Sequence, residues 1–398
     1  MKEKIVIIGS GFAGMWSALS AARLIHLHNR DDIDVIVLAP KPELCVRPRL
    51  YEENARQMVS PLLPLYHSVG VQFFQGTAEQ IDSAQKRVVY RDCEGKAGQL
   101  NYDRLVIASG SRVKQDLVPG IKEHTFNLDQ LESAAVLERH LQDLPSQPDS
   151  AARNRVVVCG GGFTGIEMAM ELPTRLKAAL GCEVEVIVID RGASIGSSYS
   201  AEMQAVIKEA SEELGVKWLL NASIERIEPE GVLLKDGTFI ESKTVIWTVG
   251  VEASPLTAHI EAPRDDKGRL KVDENLRVIG QRDIYATGDV AHALTDDKNN
   301  LALMTCQHAI PLGKFAGHNV AADLLGVAPL AYRQENYVTC LDLGAWGAVY
   351  TEGWEQKVNC VRQEAKKIKI AITNELIYPP KADRDVVLSI ADPLAPFV

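Results

Sequence analysis

Two short runs in this 398-residue chain can cradle a pyrophosphate: GSGFAG at 9–14 and GGGFTG at 160–165. The first glycine of each, Gly9 and Gly160, permits a tight turn. The second, Gly11 and Gly162, lets the backbone approach a phosphate that a side chain would push away. The third, Gly14 and Gly165, lets the following helix pack against its strand. The helix start then offers free N–H groups and a partial positive charge to an anion. Phe12, Ala13 and Thr164 fill the remaining positions of the two turns. One GxGxxG is a weak signal. Two of them, each between an apolar strand and a helix, are a specific one.

The two sites differ in one acid. An acidic residue at the end of the second strand accepts hydrogen bonds from the adenosine ribose. Asp190 holds that place 25 residues after Gly165, whereas the position 25 residues after Gly14 is Ala39. The second site therefore favours NADH, because a 2′-phosphate would face a carboxylate. The neighbouring Arg191 could accept that phosphate, so NADPH is disfavoured rather than excluded. The first site holds its ribose another way, with Lys41 and Glu43 as candidates.

Other chemistries lack their residues. Seven widely spaced cysteines without a CxxC exclude a disulfide framework, a zinc knuckle and an adjacent dithiol, and fit a reducing compartment such as the cytoplasm. The nine histidines show no metal-ligand spacing. Cys45 stands alone where a disulfide reductase would carry a CxxxxC pair.

The elements that position the glycines occur twice. The first half reads strand (Lys4–Ile8), glycine turn, helix (13–27), strand (Asp34–Leu38). The second reads strand (Arg155–Val158), glycine turn, helix (165–180), strand (Glu183–Ile189). VQFFQGTAEQID (71–82) then matches VKWLLNASIERIE (216–228), and a hairpin-like pair follows each. Each series closes on an apolar strand ending in glycine, at Gly110 and Gly250. The glycine turns lie 151 residues apart and the closing glycines 140 apart. The order predicts an α/β chain with two Rossmann-like, three-layer dinucleotide-binding domains. IYATG (284–288) has no glycine motif before it and is expected to complete the first sheet. The first domain is thus discontinuous, 1–115 and 270–325. The second spans 150–265, after a Pro- and Ser-rich linker at about 140–154. A small α+β region covers 330–398, with strand-like runs, a basic helix-compatible stretch (361–376) and a tail without amphipathic period.

Composition closes off further classes. An apolar fraction of 46% excludes wholesale disorder, and a net charge of −10 argues against nucleic acid and against a polybasic membrane patch. Residues 5–22 carry no charge, as a signal peptide or short membrane span would, but Gly9, Gly11 and Gly14 interrupt them.

The whole pattern resembles the two-dinucleotide flavoprotein oxidoreductases. GSGFAG looks like their FAD fingerprint, GGGFTGIE their NAD fingerprint and IYATGDVA their second FAD motif. Within that superfamily the chain is most similar to the type II NADH dehydrogenases and their soluble relatives, through RPRLYE (47–52), VIWTVGV (245–251), TCQHAIPLGKFAGHNV (305–320) and KIKIAITNELIYPP (367–380). The resemblance implies FAD in the first unit and NAD(P)H in the second, with hydride passing to flavin N5 and on to a quinone or similar small acceptor. It implies that Asp289, beside Gly288, holds the flavin ribityl chain, and that Ala108, Ser109 and Gly110 lie against FAD together with Arg47, Pro48 and Ala78. It further implies Glu167 and Gly250 near the nicotinamide, and Gln307 and His308 beside the isoalloxazine. Bland readings stay open beside these: a carboxylate near a helix start for Glu167, a buried amide paired to backbone for Gln307, a helix N-cap for Asp289, a structural imidazole for His308. The sequence departs from the family at Ala39, Cys306 and Leu312, and in its short C-terminus after Pro380. Membrane contact is then at most peripheral, at the inner face, and a homodimer is compatible. The alternatives are a flavoprotein reductase serving a protein partner or a specialised metabolite, and a non-catalytic FAD/NAD-binding redox sensor.

Overall fold

A computed structural model describes residues 2–395. Its order follows from where β-branched runs alternate with helix formers. Strand β1 (Glu3–Ile8) enters helix α1 (Phe12–Leu27), which returns into β2 (Ile33–Ala39). Ile5, Val6 and Ile7 are fully buried, as a strand covered on both faces requires. A long strand β3 (Gln72–Asp82) turns into the meander β4 (Arg87–Asp92) and β5 (Ala97–Asn101), and β6 (Arg104–Ile107) comes back beside β1.

After helix α2 (Leu131–Asp143) the unit begins again: β7 (Arg155–Cys159), α3 (Phe163–Leu180), β8 (Glu185–Ile189), α4 (Ala201–Leu214), β9 (Val216–Leu219). Its meander is β10 (Ile224–Glu228), β11 (Gly231–Leu234) and β12 (Phe239–Glu241), and β13 (Thr244–Trp247) closes it. Strand β14 (Ile284–Ala286) follows, then helix α5 (Cys306–Leu325). The C-terminal part holds β15 (Val338–Asp342), β16 (Ala348–Glu352), β17 (Lys357–Val361), α6 (Arg362–Ala371) and α7 (Arg384–Ile390).

The first sheet has seven strands in the order β14-β6-β1-β2-β3-β4-β5. β14 pairs parallel with β6, so the segment after the second unit lies in the first sheet. The second parallel sheet has the order β9-β8-β7-β13. In the first unit β3 runs unbroken from the parallel sheet into the meander. In the second, the chain breaks at Asn221, which has φ +53°, and the meander forms a separate sheet.

Two expectations need correction. The stretch from residue 140 is not all linker: α2 continues to Asp143, and Leu144 is fully buried behind it. The tail, expected to be mostly without amphipathic period, holds the seven-residue α7, which is capped by the Asp383 carboxylate and buries Val387 completely. Its packing lies against α1, where Arg23 pairs with Asp392. The helix-compatible stretch divides into β17, which takes in Val361, α6, and a π-helical turn at Ile372–Leu376.

Candidate active site

Both glycine turns adopt the same backbone. Gly9 and Gly160 have φ of +111° and +108°. A Cβ on Gly14 would lie 2.0 Å from the Gly9 carbonyl, and one on Gly165 would lie 2.0 Å from that of Gly160. A Cβ on Gly11 or Gly162 would meet nothing within 4 Å. That open space is where a pyrophosphate would lie. Neither helix start carries a side-chain cap or an acid in its first turn among the described residues. The first intrahelical bonds are Met15 N to Gly11 O and Ile166 N to Gly162 O, both 2.9 Å. The N–H groups ahead of them are left for an anion.

The second strands tie back to these turns differently. At the second site, Asp190 Oδ2 accepts from Gly161 N (2.7 Å) and Oδ1 from Gly192 N (2.6 Å). At the first, Ala39 is buried, and the Ser10 hydroxyl reaches the carbonyls of Lys41 and Glu43, both 3.1 Å away. Lys41 itself pairs with Glu132 at 2.7 Å.

The closing strands converge on the first cradle. A Cβ on Gly9 would lie 2.3 Å from Ala108 O, and one on Gly288 would lie 2.7 Å from the Ala13 methyl. Beside them the buried hydroxyls of Ser109 and Thr287 have no hydrogen-bond partner among the described residues. Asp289 Oδ2 accepts from Ser111 Oγ (2.6 Å) and lies 3.5 Å from Arg47 Nη1. Arg47 also donates to Asp129 (2.6 Å). Pro48 holds the first turn of a short 3-10 helix with Arg47. Asp289 is not a cap of the long helix: Thr305 caps α5, and Asp289 sits in its own single turn. An open cradle, two unpartnered hydroxyls and a half-exposed carboxylate–guanidinium pair fit a dinucleotide with a polar chain. Ala78 stands further out, at a bulge of β3 opposite Tyr90.

The closing glycines Gly110 and Gly250 have φ of +70° and +79°. The strands that follow them pair with each other, Ser111 with Ala253 and Val113 with Val251. The two units thus face each other across equivalent edges.

Glu167 is buried at the first turns of α3. Its Oε1 accepts from Lys369 Nζ (2.6 Å) and from the main-chain N–H of Asp342 (3.1 Å). Burial pushes its carboxyl up to about 7, with Lys369 pulling the other way. Lys369 also donates to the Cys340 carbonyl (3.2 Å), and its ammonium lies 5.7 Å from the Tyr51 ring and 5.6 Å from that of Phe163. Lys369 and Asp342 were not among the residues expected from sequence.

At the N-terminus of α5, the Gln307 amide is paired to backbone: it donates to Val338 O (2.8 Å) and accepts from Val338 N (3.1 Å). His308 is fully buried, with ring centroids 5.7 Å from Tyr337 and 5.9 Å from Trp354. Burial lowers its imidazole to about 4, and Nδ1 lies 3.0 Å from Thr305 Oγ1. Burial pushes the thiols of Cys45 and Cys306 up to about 11, which disfavours their thiolate forms. Lys369 and Asp289 act on Cys306 in opposite directions, the first lowering and the second raising its thiol.

Two phosphate cradles of the same build in one α/β chain fit an enzyme that binds two nucleotides. The family model of the pyridine nucleotide-disulphide oxidoreductases matches residues 3–313, and the chain belongs to that family. An NADH dehydrogenase-like protein of Mycobacterium tuberculosis is 41% identical over 383 residues, covering 95% of this chain and 94% of that protein. Demethylphylloquinone reductase of Synechocystis is 29% identical over 357 residues, 87% of this chain and 86% of that one. The solved structure of NDH2 from Plasmodium falciparum with NADH has a TM-score of 0.78 at 16% identity, covering 98% and 97% of the two chains. The chain is an NAD(P)H-dependent flavoprotein oxidoreductase whose cofactor is FAD.

Proposed function

We propose that the chain oxidises NADH in preference to NADPH and passes the electrons to a quinone-type small acceptor. The carrying observation is the asymmetry of the two cradles: both are open at the second glycine, and only one has a carboxylate at its strand end. Gly9, Gly11 and Gly14 would take the FAD pyrophosphate, with Ser109, Gly110, Arg47 and Asp289 toward the flavin. Gly160, Gly162, Gly165 and Asp190 would take NADH. The redox chemistry, a hydride taken from the nicotinamide and two electrons given to the acceptor, would be supplied by FAD held at the first cradle.

The chain's own part is to orient both nucleotides, a proximity effect, and to manage protons. A quinone takes up two protons with its two electrons. Glu167, with a carboxyl near 7, can hold or release one at neutral pH, and Lys369 offsets its charge. Gln307, held by Val338, would wall the acceptor side rather than donate to it. The names of the Synechocystis relative and of the type II NADH:quinone oxidoreductase of Staphylococcus haemolyticus, 23% identical over 368 residues, support a quinone. Any membrane contact would be peripheral: no helix among the described residues is long and apolar enough to cross a bilayer.

The test is reoxidation of the NADH-reduced holoenzyme by soluble quinones, set against a small iron–sulfur protein. Fast turnover with menadione or a short-chain ubiquinone supports the reading. Turnover with the protein alone overturns it in favour of a reductase for a protein partner.

A further inference from the structure

The Glu167–Lys369 pair does not stand alone. Asp342 ends β15 and is buried, and it faces two ways. Its main-chain N–H donates to Glu167 Oε1, the same oxygen that accepts from Lys369. Its carboxylate turns to a second set of donors. Oδ1 and Oδ2 accept from Lys366 Nζ at 2.6 and 2.8 Å, Oδ2 accepts from the Tyr51 hydroxyl at 2.9 Å, and Oδ1 accepts from Gly344 N at 2.9 Å. Every lone-pair direction of this carboxylate is accounted for.

A buried ion pair and a part-buried one therefore lie side by side, built from three separated segments. Lys366 and Lys369 are three residues apart on α6 and so share a face. One serves Asp342 and the other Glu167. Tyr51 touches both pairs, its hydroxyl bonding Asp342 and its ring lying beside the Lys369 ammonium. The turn after Asp342 is clamped to α3: a Cβ on Gly344, which has φ +60°, would lie 2.1 Å from the Met170 carbonyl. The position of Asp342 is thereby fixed relative to the helix that carries Glu167.

We propose that Asp342, held by Lys366 and Tyr51, is a positioning residue that anchors the Glu167–Lys369 pair and governs the pH at which Glu167 carries its proton. The inference rests on the reading of Glu167 as the proton-handling group. A fixed anion beside Glu167 disfavours a second negative charge, and Lys366 neutralises most of that anion. The other groups that act on Glu167 or Lys369 are the Tyr199 and Tyr51 phenols and the Cys340 and Cys306 thiols, all kept neutral by burial. Glu171, one turn along α3, answers to Lys366, Arg175, Asp342 and Glu53. Lys369 and Asp342 are thus the charges that matter most at Glu167.

The experiment compares flavin-containing wild type, Glu167→Gln, Asp342→Asn, Lys366→Met and Tyr51→Phe. The readout is the pH profile of anaerobic flavin reduction by NADH and of its reoxidation by menadione. Asp342→Asn removes the anion, so the Glu167 limb should move about half to one pH unit toward acid. Lys366→Met leaves the anion unbalanced, so the limb should move by a similar amount toward alkali. Tyr51→Phe keeps all charges and should move it far less. Lost packing would lower rates without such opposed shifts. Where Asp342→Asn fails to retain flavin, Lys366→Met carries the test by itself. A limb that vanishes in Glu167→Gln yet stays in place in both charge variants, or moves the same way in both, overturns this inference alone. A limb that survives Glu167→Gln unchanged overturns the proton-handling reading and this inference with it.

Discussion

A methyl group on Gly11 would meet no protein atom within 4 Å, while one on Gly14 would lie 2.0 Å from a backbone carbonyl. The two substitutions should therefore fail differently. Gly14→Ala should lower the thermal midpoint, because α1 must move off its strand. Gly11→Val should leave the flavin-free fold near its wild-type midpoint and abolish FAD retention, read as the ratio of absorbance at about 450 nm to that at 280 nm. At the second cradle, Asp190→Asn keeps an acceptor for the ribose but removes the charge that repels a 2′-phosphate. It should narrow the NADH-over-NADPH ratio of kcat/KM by about tenfold, a ~1.4 kcal/mol effect. An unchanged ratio would show that Asp190 does not read the ribose. These residues were legible in the sequence because glycine spacing and a strand-end acid are local patterns. Glu167 was legible as a residue but not as a pair. Its partners Lys369 and Asp342 lie 202 and 175 positions away, and no local pattern links them.

Lys369 reaches Glu167 only because α6 docks on the C-terminal sheet and delivers its buried face to α3. Removing one charge of a buried pair strands the other, so Lys369→Met should cost about 3–5 kcal/mol of stability. The double variant Lys369→Met with Glu167→Gln should recover most of that loss, measured as denaturant midpoints of the four forms. Single losses that simply add would show that the pair is not coupled. At the start of α5, His308 is buried neutral with its imidazole lowered to about 4 from an ordinary 6.5. The unfolded chain then binds more protons than the native one between these values. Stability from this group is whole above pH 6.5 and erodes as pH falls toward 4, by about 3 kcal/mol in total. Urea midpoints of the wild type should fall faster with acid than those of His308→Gln; parallel slopes would refute the assignment. The elements that carry the two units follow from β-branched strands and glycine turns and were readable. The seven-residue α7 was not, being too short to show a period, although Asp383 ahead of Val386 and Val387 is a cap signal in retrospect.

At the scale of the molecule, duplication explains most of the architecture. Equivalent strands after Gly110 and Gly250 pair with each other and join the two units. The C-terminal part adds β15 and α6, and its tail packs back on α1. The repeat announced the two units because order and spacing persist over about 100 residues. It could not announce the third part, which has no copy to compare with. On the proposed function, a resident flavin in the first unit is reduced by a nicotinamide bound in the second. The most direct measurement is an anaerobic titration of the purified holoenzyme with NADH, followed by its visible absorbance. The wild-type flavin spectrum should bleach with about one equivalent of NADH. In Gly162→Val, the flavin should remain bound but bleach at least tenfold more slowly. A wild type whose bound flavin stays oxidised under excess NADH, or a Gly162→Val variant that bleaches at the wild-type rate, would contradict it.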